Sequence, residues 1–135
     1  MIMGKRIHII DDDQNIIDSL KIILESAGYI VTSQFTEKNA VANFINLAAD
    51  LLIVDIMFPE NPDAGFGIIK EFKFTHATKD VPILVHSAIS EPGLRMGLAD
   101  DSHVANASYL LSVNDFIEKP IRPIDLISKV NGLLN

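Results

Sequence analysis

Leu51-Leu52-Ile53-Val54-Asp55 is an unbroken apolar run that stops on a carboxylate. A short run with no polar alternation marks a strand covered on both faces, and such strands belong mainly to parallel sheets. Behind it comes a loop rich in Pro, Asn, Asp and Gly over residues 58–67, and then Ile68, Ile69 and Phe72 at helical spacing. The same unit recurs upstream. Residues 5–10, with Ile7, Ile9 and Ile10, predict a buried strand that ends at Asp11-Asp12-Asp13. Ile16, Ile17, Leu20, Ile23, Leu24 and Ala27 then follow a helical period until Gly28 stops it. Residues 29–33 predict a more polar strand, and Thr36 can cap a helix carrying Ala40, Val41, Phe44, Ile45 and Ala48.

Downstream, residues 81–85 predict a fourth strand entered through Pro82, which suits a first strand position. Residues 116–118 predict a fifth. Pro123 opens a last helix bearing Ile124, Ile127, Val130, Leu133 and Leu134. Residues 87–114, between these two strands, hold Pro92, Gly93, Gly97 and the polar Asp100-Asp101-Ser102-His103. A helix is expected there over roughly 104–111. Strand and helix thus alternate five times, which implies a parallel α/β sheet with right-handed crossovers and helices on both faces. With no internal repeat, low-complexity tract or linker, residues 1–135 are expected to form a single domain with no output domain.

Composition narrows the function. Apolar residues make up 48% of the 135, enough for a packed core. No apolar run is long enough to span a bilayer, and the N-terminus lacks the features of a signal peptide. With no cysteine there is neither a disulfide frame nor a thiolate metal site. The reading is of a cytoplasmic protein with no membrane contact. A formal charge of −7 argues against direct grip on a nucleic-acid backbone.

The chemistry gathers at strand ends. In a doubly wound sheet the ligand site lies beyond the carboxyl ends of the strands. Here those ends carry Asp11-Asp12-Asp13, Asp55, Ser87 and Lys119. Crowded carboxylates repel one another unless a cation joins them. Hard oxygen ligands without Cys or paired His suit Mg²⁺. A lysine and a hydroxyl beside that metal suit a phosphoryl group, and a carboxylate can be its acceptor. His8, His76, His86 and His103 have no metal-ligand spacing. His86, next to Ser87, reads as a strand histidine packed or hydrogen-bonded away from the site.

Four motifs at successive strand ends resemble the receiver domains of two-component response regulators, of the chemotaxis-regulator type. They are Ile9-Ile10-Asp11-Asp12-Asp13, Leu52-Ile53-Val54-Asp55-Ile56-Met57-Phe58-Pro59, Val81-Pro82-Ile83-Leu84-Val85-His86-Ser87-Ala88 and Phe116-Ile117-Glu118-Lys119-Pro120. The resemblance implies a flavodoxin-like (βα)5 fold with strand order 2-1-3-4-5. It makes Asp55 the phosphoacceptor, Asp12 a direct Mg²⁺ ligand, Asp11 a ligand mostly through water, and the Met57 carbonyl a further ligand. Ser87 and Lys119 would meet the phosphoryl group, and Ser87 and Phe116 would form the switch. Lys119-Pro120 resembles the family's cis peptide, and Asp13 is expected to cap the first helix instead of binding metal. The donor implied is a phosphohistidine of a sensor kinase or phosphotransfer protein. The implied output is a changed surface of helix 4, the helix that precedes strand 5, and of strand 5 itself, which meets a downstream protein target, with a homodimer through the face of helix 4, strand 5 and helix 5, the last helix. Such a protein is not an enzyme beyond assisting its own phosphorylation and dephosphorylation.

Two segments depart from the family pattern. The loop holding Glu60-Asn61-Pro62-Asp63-Ala64 is about two residues longer than usual, and residues 87–119 are about ten longer than in a compact member. The second departure motivates an alternative, a pseudo-receiver that binds proteins without phosphorylation; the complete set of acidic residues, Ser87 and Lys119 argues against it. Met57 and Ile89 are apolar where the family tunes water access, which predicts a long-lived phosphorylated form.

Overall fold

The strand-ending carboxylates depend on a sheet, and the computed structural model, which describes residues 4–56, 64–87 and 113–135, contains it. In chain order the described elements are β1 (Arg6–Ile10), α1 (Gln14–Ser26), β2 (Ile30–Gln34), α2 (Ala40–Asn46), β3 (Leu51–Val54), α3 (Ala64–Phe74), β4 (Ile83–Ser87), β5 (Asp115–Glu118) and α4 (Pro123–Leu134). The strands form one sheet in the order β2-β1-β3-β4-β5, and every neighbouring pair is parallel. The expected flavodoxin-like fold is the observed one. Strand order reverses between β1 and β3, so their carboxyl ends flank the crevice where such sheets bind ligands.

Alternation along the strands splits the core in two. On one face Ile10, Leu52, Val54, Ile83 and Val85 pack with Phe44 of α2 and Ile68, Ile69 and Phe72 of α3. Phe44 and Phe72 meet edge to face at 5.1 Å. On the other face Ile7, Ile9, Leu51, Ile53, Leu84 and Ile117 pack with Ile17, Leu20 and Leu24 of α1 and Leu126 and Val130 of α4. Among the described residues no helix is long and apolar enough to cross a membrane.

Local chemistry sets the boundaries. Asp13 caps α1 as expected, its side chain accepting from the Asn15 N–H at 2.9 Å. Gly28 ends that helix at φ +95°; the Gly28 N–H reaches the Glu25 carbonyl and the Tyr29 N–H reaches that of Leu24, satisfying two orphan acceptors. Three expectations need correcting. Thr36 does not cap α2. The Gln34 amide holds the carbonyls of Thr36 and Lys38, Asn39 sits in the left-handed region, and the helix starts only at Ala40. The fourth strand begins at Ile83 and runs to Ser87, later than residues 81–85. Pro82 lacks an N–H but its carbonyl still accepts from the Leu52 N–H at 3.0 Å. Finally, the loop after β3 ends sooner than residue 67, because α3 already begins at Ala64.

Candidate functional site

Asp11 follows β1 and Asp55 follows β3, and the parallel pairing continues to both. The Asp55 N–H donates to the Ile10 carbonyl at 3.0 Å, and the Asp11 N–H to that of Gln34 at 3.2 Å. Lys119 follows β5, where its N–H donates to the Ser87 carbonyl at 2.7 Å. Three strand ends therefore aim their side chains at one point. The Lys119 ammonium donates to Asp11 Oδ2 at 3.0 Å and to Asp55 Oδ2 at 3.1 Å. Both carboxylates are buried. Asp11 Oδ1 also accepts the Asp13 N–H at 2.9 Å, which fixes its orientation. The Lys119–Pro120 peptide is cis, as expected.

Asp12 is exposed beside this pair, and one carboxylate oxygen each from Asp11, Asp12 and Asp55 lies within 4.8 Å of the others. Three carboxylates and one ammonium leave a formal charge of −2 on these four side chains. Hard oxygen donors carrying that excess charge fit a divalent cation of the Mg²⁺ kind. Electrostatics agree with a strained resting site. Burial raises the Asp11 pKa above the ordinary carboxylate value, against the opposing pull of the Asp13 N–H and Lys119. Burial disfavours the Lys119 charge too, but Asp11 and Asp55 outweigh it and its pKa is raised.

Ser87 ends β4 and is buried; Phe116 is half-buried in β5 and packs on the α2/α3 core. Phe116 pairs with Val85 in register, so it shares a face with Ser87 and lies one diagonal step from it. Met57, Ile89, residues 60–63 and the helix expected over roughly 104–111 fall outside the described residues.

Sequence reasoning missed what two residues do in the fold. Gly65, in the first turn of α3, has room for nothing larger: a Cβ there would lie 2.2 Å from Ile56 Cα and 2.9 Å from the Asp55 carbonyl oxygen. The start of α3 thus abuts the backbone that carries Asp55. Gly67, two residues further along α3, meets no such contact. The second is His86, which is buried as expected but not hydrogen-bonded: among the described residues neither ring nitrogen has a partner. Burial, and next the charge of Lys119, lower its pKa to about 4. His8, also buried, is held at both nitrogens, Nδ1 by Thr32 Oγ1 and Nε2 by Gln34 Oε1, each at 2.7 Å.

Comparison with known proteins adds a family context. A family model described as the response regulator receiver domain matches residues 7–131. The response regulator SaeR of Staphylococcus aureus (strain USA300) is 30% identical over 126 residues, covering 93% of this chain and 49% of the relative. The chain thus spans about half the length of the curated relatives it matches. Among solved structures, a two-component response regulator from Clostridium difficile superposes with a TM-score of 0.73 at 25% identity, over 97% of this chain and 96% of that one. The chemotaxis response regulator CheY4 of Vibrio cholerae gives a TM-score of 0.76 at 20% identity, over 98% and 100% respectively, a likeness of fold.

Proposed function

The chain belongs to the response regulator receiver domain family, and from that premise we propose that it is a two-component phosphoacceptor switch whose acceptor is Asp55. The observation that carries this reading is the Lys119 ammonium shared at 3.0 and 3.1 Å by buried Asp11 and Asp55. The donor is a phosphohistidine of a sensor kinase or phosphotransfer protein, or a small phosphodonor. An Asp55 carboxylate oxygen forms the new O–P bond as the donor's N–P bond breaks, and the imidazole leaves with the bonding pair. Lys119 then turns its charge to the phosphoryl oxygens, and the Ser87 hydroxyl donates to one of them. Bound Mg²⁺ supplies the remaining positive charge; Asp12 and Asp55, the Met57 carbonyl and, through water, Asp11 would hold it. The chain assists only its own phosphorylation and dephosphorylation.

The switch is steric. Ser87 drawn toward the phosphoryl group frees space on the face it shares with Phe116, and the aromatic ring moves inward. The surface of β5 and the preceding predicted helix changes with it, offering itself to a downstream protein or to a second copy. Residues 1–135 are proposed as one receiver domain acting in the cytoplasm, with no output domain among them.

The test is intact mass after incubation with Mg²⁺ and acetyl phosphate. One added phosphoryl group is expected, dependent on Mg²⁺ and abolished in Asp55→Asn. A folded protein that takes no phosphoryl group would overturn the reading in favour of a phosphorylation-independent binding module.

A further inference from the structure

His86 and Lys119 leave the sheet on one face. In the β4–β5 register His86 stands opposite Ile117, and Lys119 lies two residues beyond Ile117. Side chains two residues apart share a face. The Lys119 N–H bond to the Ser87 carbonyl carries the pairing to that point. Leu84, two residues before His86, and Ile117 both lie in the α1/α4 core, which fixes the face as theirs. One diagonal step across paired strands is a gap that long side chains span.

The two groups have complementary needs. His86 is 2% exposed and among the described residues neither Nδ1 nor Nε2 has a hydrogen-bond partner, an uncommon condition for a buried polar side chain. With its pKa held at about 4 the ring is neutral, so one nitrogen keeps a lone pair. The Lys119 ammonium has three donors, and its bonds among the described residues go to Asp11 and Asp55. The carboxylates it holds belong to the same acidic group that a phosphoryl group or a divalent cation would claim.

We propose that His86 is a positioning residue for Lys119, its lone-pair nitrogen accepting an ammonium N–H when Lys119 gives up a carboxylate oxygen during phosphorylation of Asp55. The proposal rests on the phosphoacceptor reading. In the resting state Lys119 leans to the carboxylates and the ring is orphaned. In the loaded state the ring catches the ammonium and keeps it over Asp55. That one bond favours the loaded state: it satisfies one of the two unpartnered ring nitrogens and does so with a charged donor.

The experiment uses the full chain, labelled with ¹⁵N, in Mg²⁺ with and without beryllofluoride as a phosphoryl mimic. The His86 ring nitrogens are assigned by their absence in His86→Gln. The expected result is an upfield move of the lone-pair nitrogen when beryllofluoride is added. Affinity for beryllofluoride should fall about tenfold in His86→Leu but stay within about twofold in His86→Gln, which keeps an acceptor. If beryllofluoride binds and the His86 nitrogens do not move, or if the Leu variant binds as tightly as the Gln variant, the proposal is overturned while the phosphoacceptor reading stands. If the wild-type chain fails to bind beryllofluoride in Mg²⁺, both fall. Should His86→Leu not fold, the wild-type spectra decide alone.

Discussion

His8 and His86 occupy strands of one sheet, are 1% and 2% exposed, and have pKa values lowered first of all by burial. They differ in everything else. His8 faces α2, edge-on to Phe44. Its partner Gln34 is oriented by its own amide, which donates to the carbonyls of Thr36 and Lys38, while Asn43 donates to Gln34 Oε1 at 3.1 Å. Gln34 Oε1 is therefore an acceptor, His8 Nε2 carries the proton, and Nδ1 accepts the Thr32 hydroxyl. That satisfied network ties β1, β2 and α2 together. His86 has no such network and lies beside the charged strand ends. A filled polar network specifies structure, whereas an unfilled one next to a charge cluster marks the place where the fold gives way to function.

The charges at the strand ends can be tested directly. Lys119→Met leaves Asp11 and Asp55 buried without their cation, and breaking a buried pair in this way costs about 3–5 kcal/mol. Urea denaturation in a chelator should register that loss, and added Mg²⁺ should restore part of it. Lys129, paired with Asp115 at 3.0 Å where the side chains are 36% and 38% exposed, serves as the control. Lys129→Met should cost under about 1 kcal/mol. Equal losses in the two variants would mean that buried Asp11 and Asp55 do not depend on the Lys119 charge.

The comparison also marks what the sequence can reveal. Asp11, Asp55 and Lys119 were legible because each ends a strand, and the alternation of strands and helices brings strand ends together whatever the loops do. The parallel sheet followed for the same reason, while its strand order was implied by the family resemblance. Thr36 misled because a capping residue is judged by its neighbours in sequence, and the competing Gln34 amide acts through a fold in the chain. Gly65 could be seen as a glycine, but its need to be one comes from the Ile56 backbone across a packing contact. His86 was legible as a buried strand residue. Its lack of partners depends on what surrounds it in three dimensions, which no local pattern encodes.

Acid separates the region further. An unfolded His86 titrates near 6.5 and the folded one at about 4. Between those values the unfolded chain binds the proton and the folded chain does not, so stability is intact above about pH 6.5 and falls as pH drops toward 4, by up to about 3 kcal/mol. His8 adds loss in the same direction. Asp11, whose pKa is raised, opposes it at the acid end. The His86 share is isolated by subtraction: urea midpoints of His86→Leu should decline less steeply over this window than those of the wild type. Parallel curves would show that the ring does not resist protonation.

The smallest effect tests the comparison most directly, at pH 7, where both rings are neutral. His8→Leu removes a donor from Gln34 Oε1 and an acceptor from the Thr32 hydroxyl, and should cost about 1–3 kcal/mol. Thr32→Val deletes one bond of the same network and should cost about 1 kcal/mol. His86→Leu removes two polar atoms that have no partners, so it should leave stability unchanged or raise it. The substitution is the same at two equally buried positions, so side-chain volume and lost transfer energy largely cancel between them. What remains is the hydrogen bonding. If thermal or urea unfolding gives the same loss at both positions, partners do not distinguish the two histidines. A loss at His8 with none at His86 means that the stability comes from the hydrogen bonds His8 makes and not from burying an imidazole.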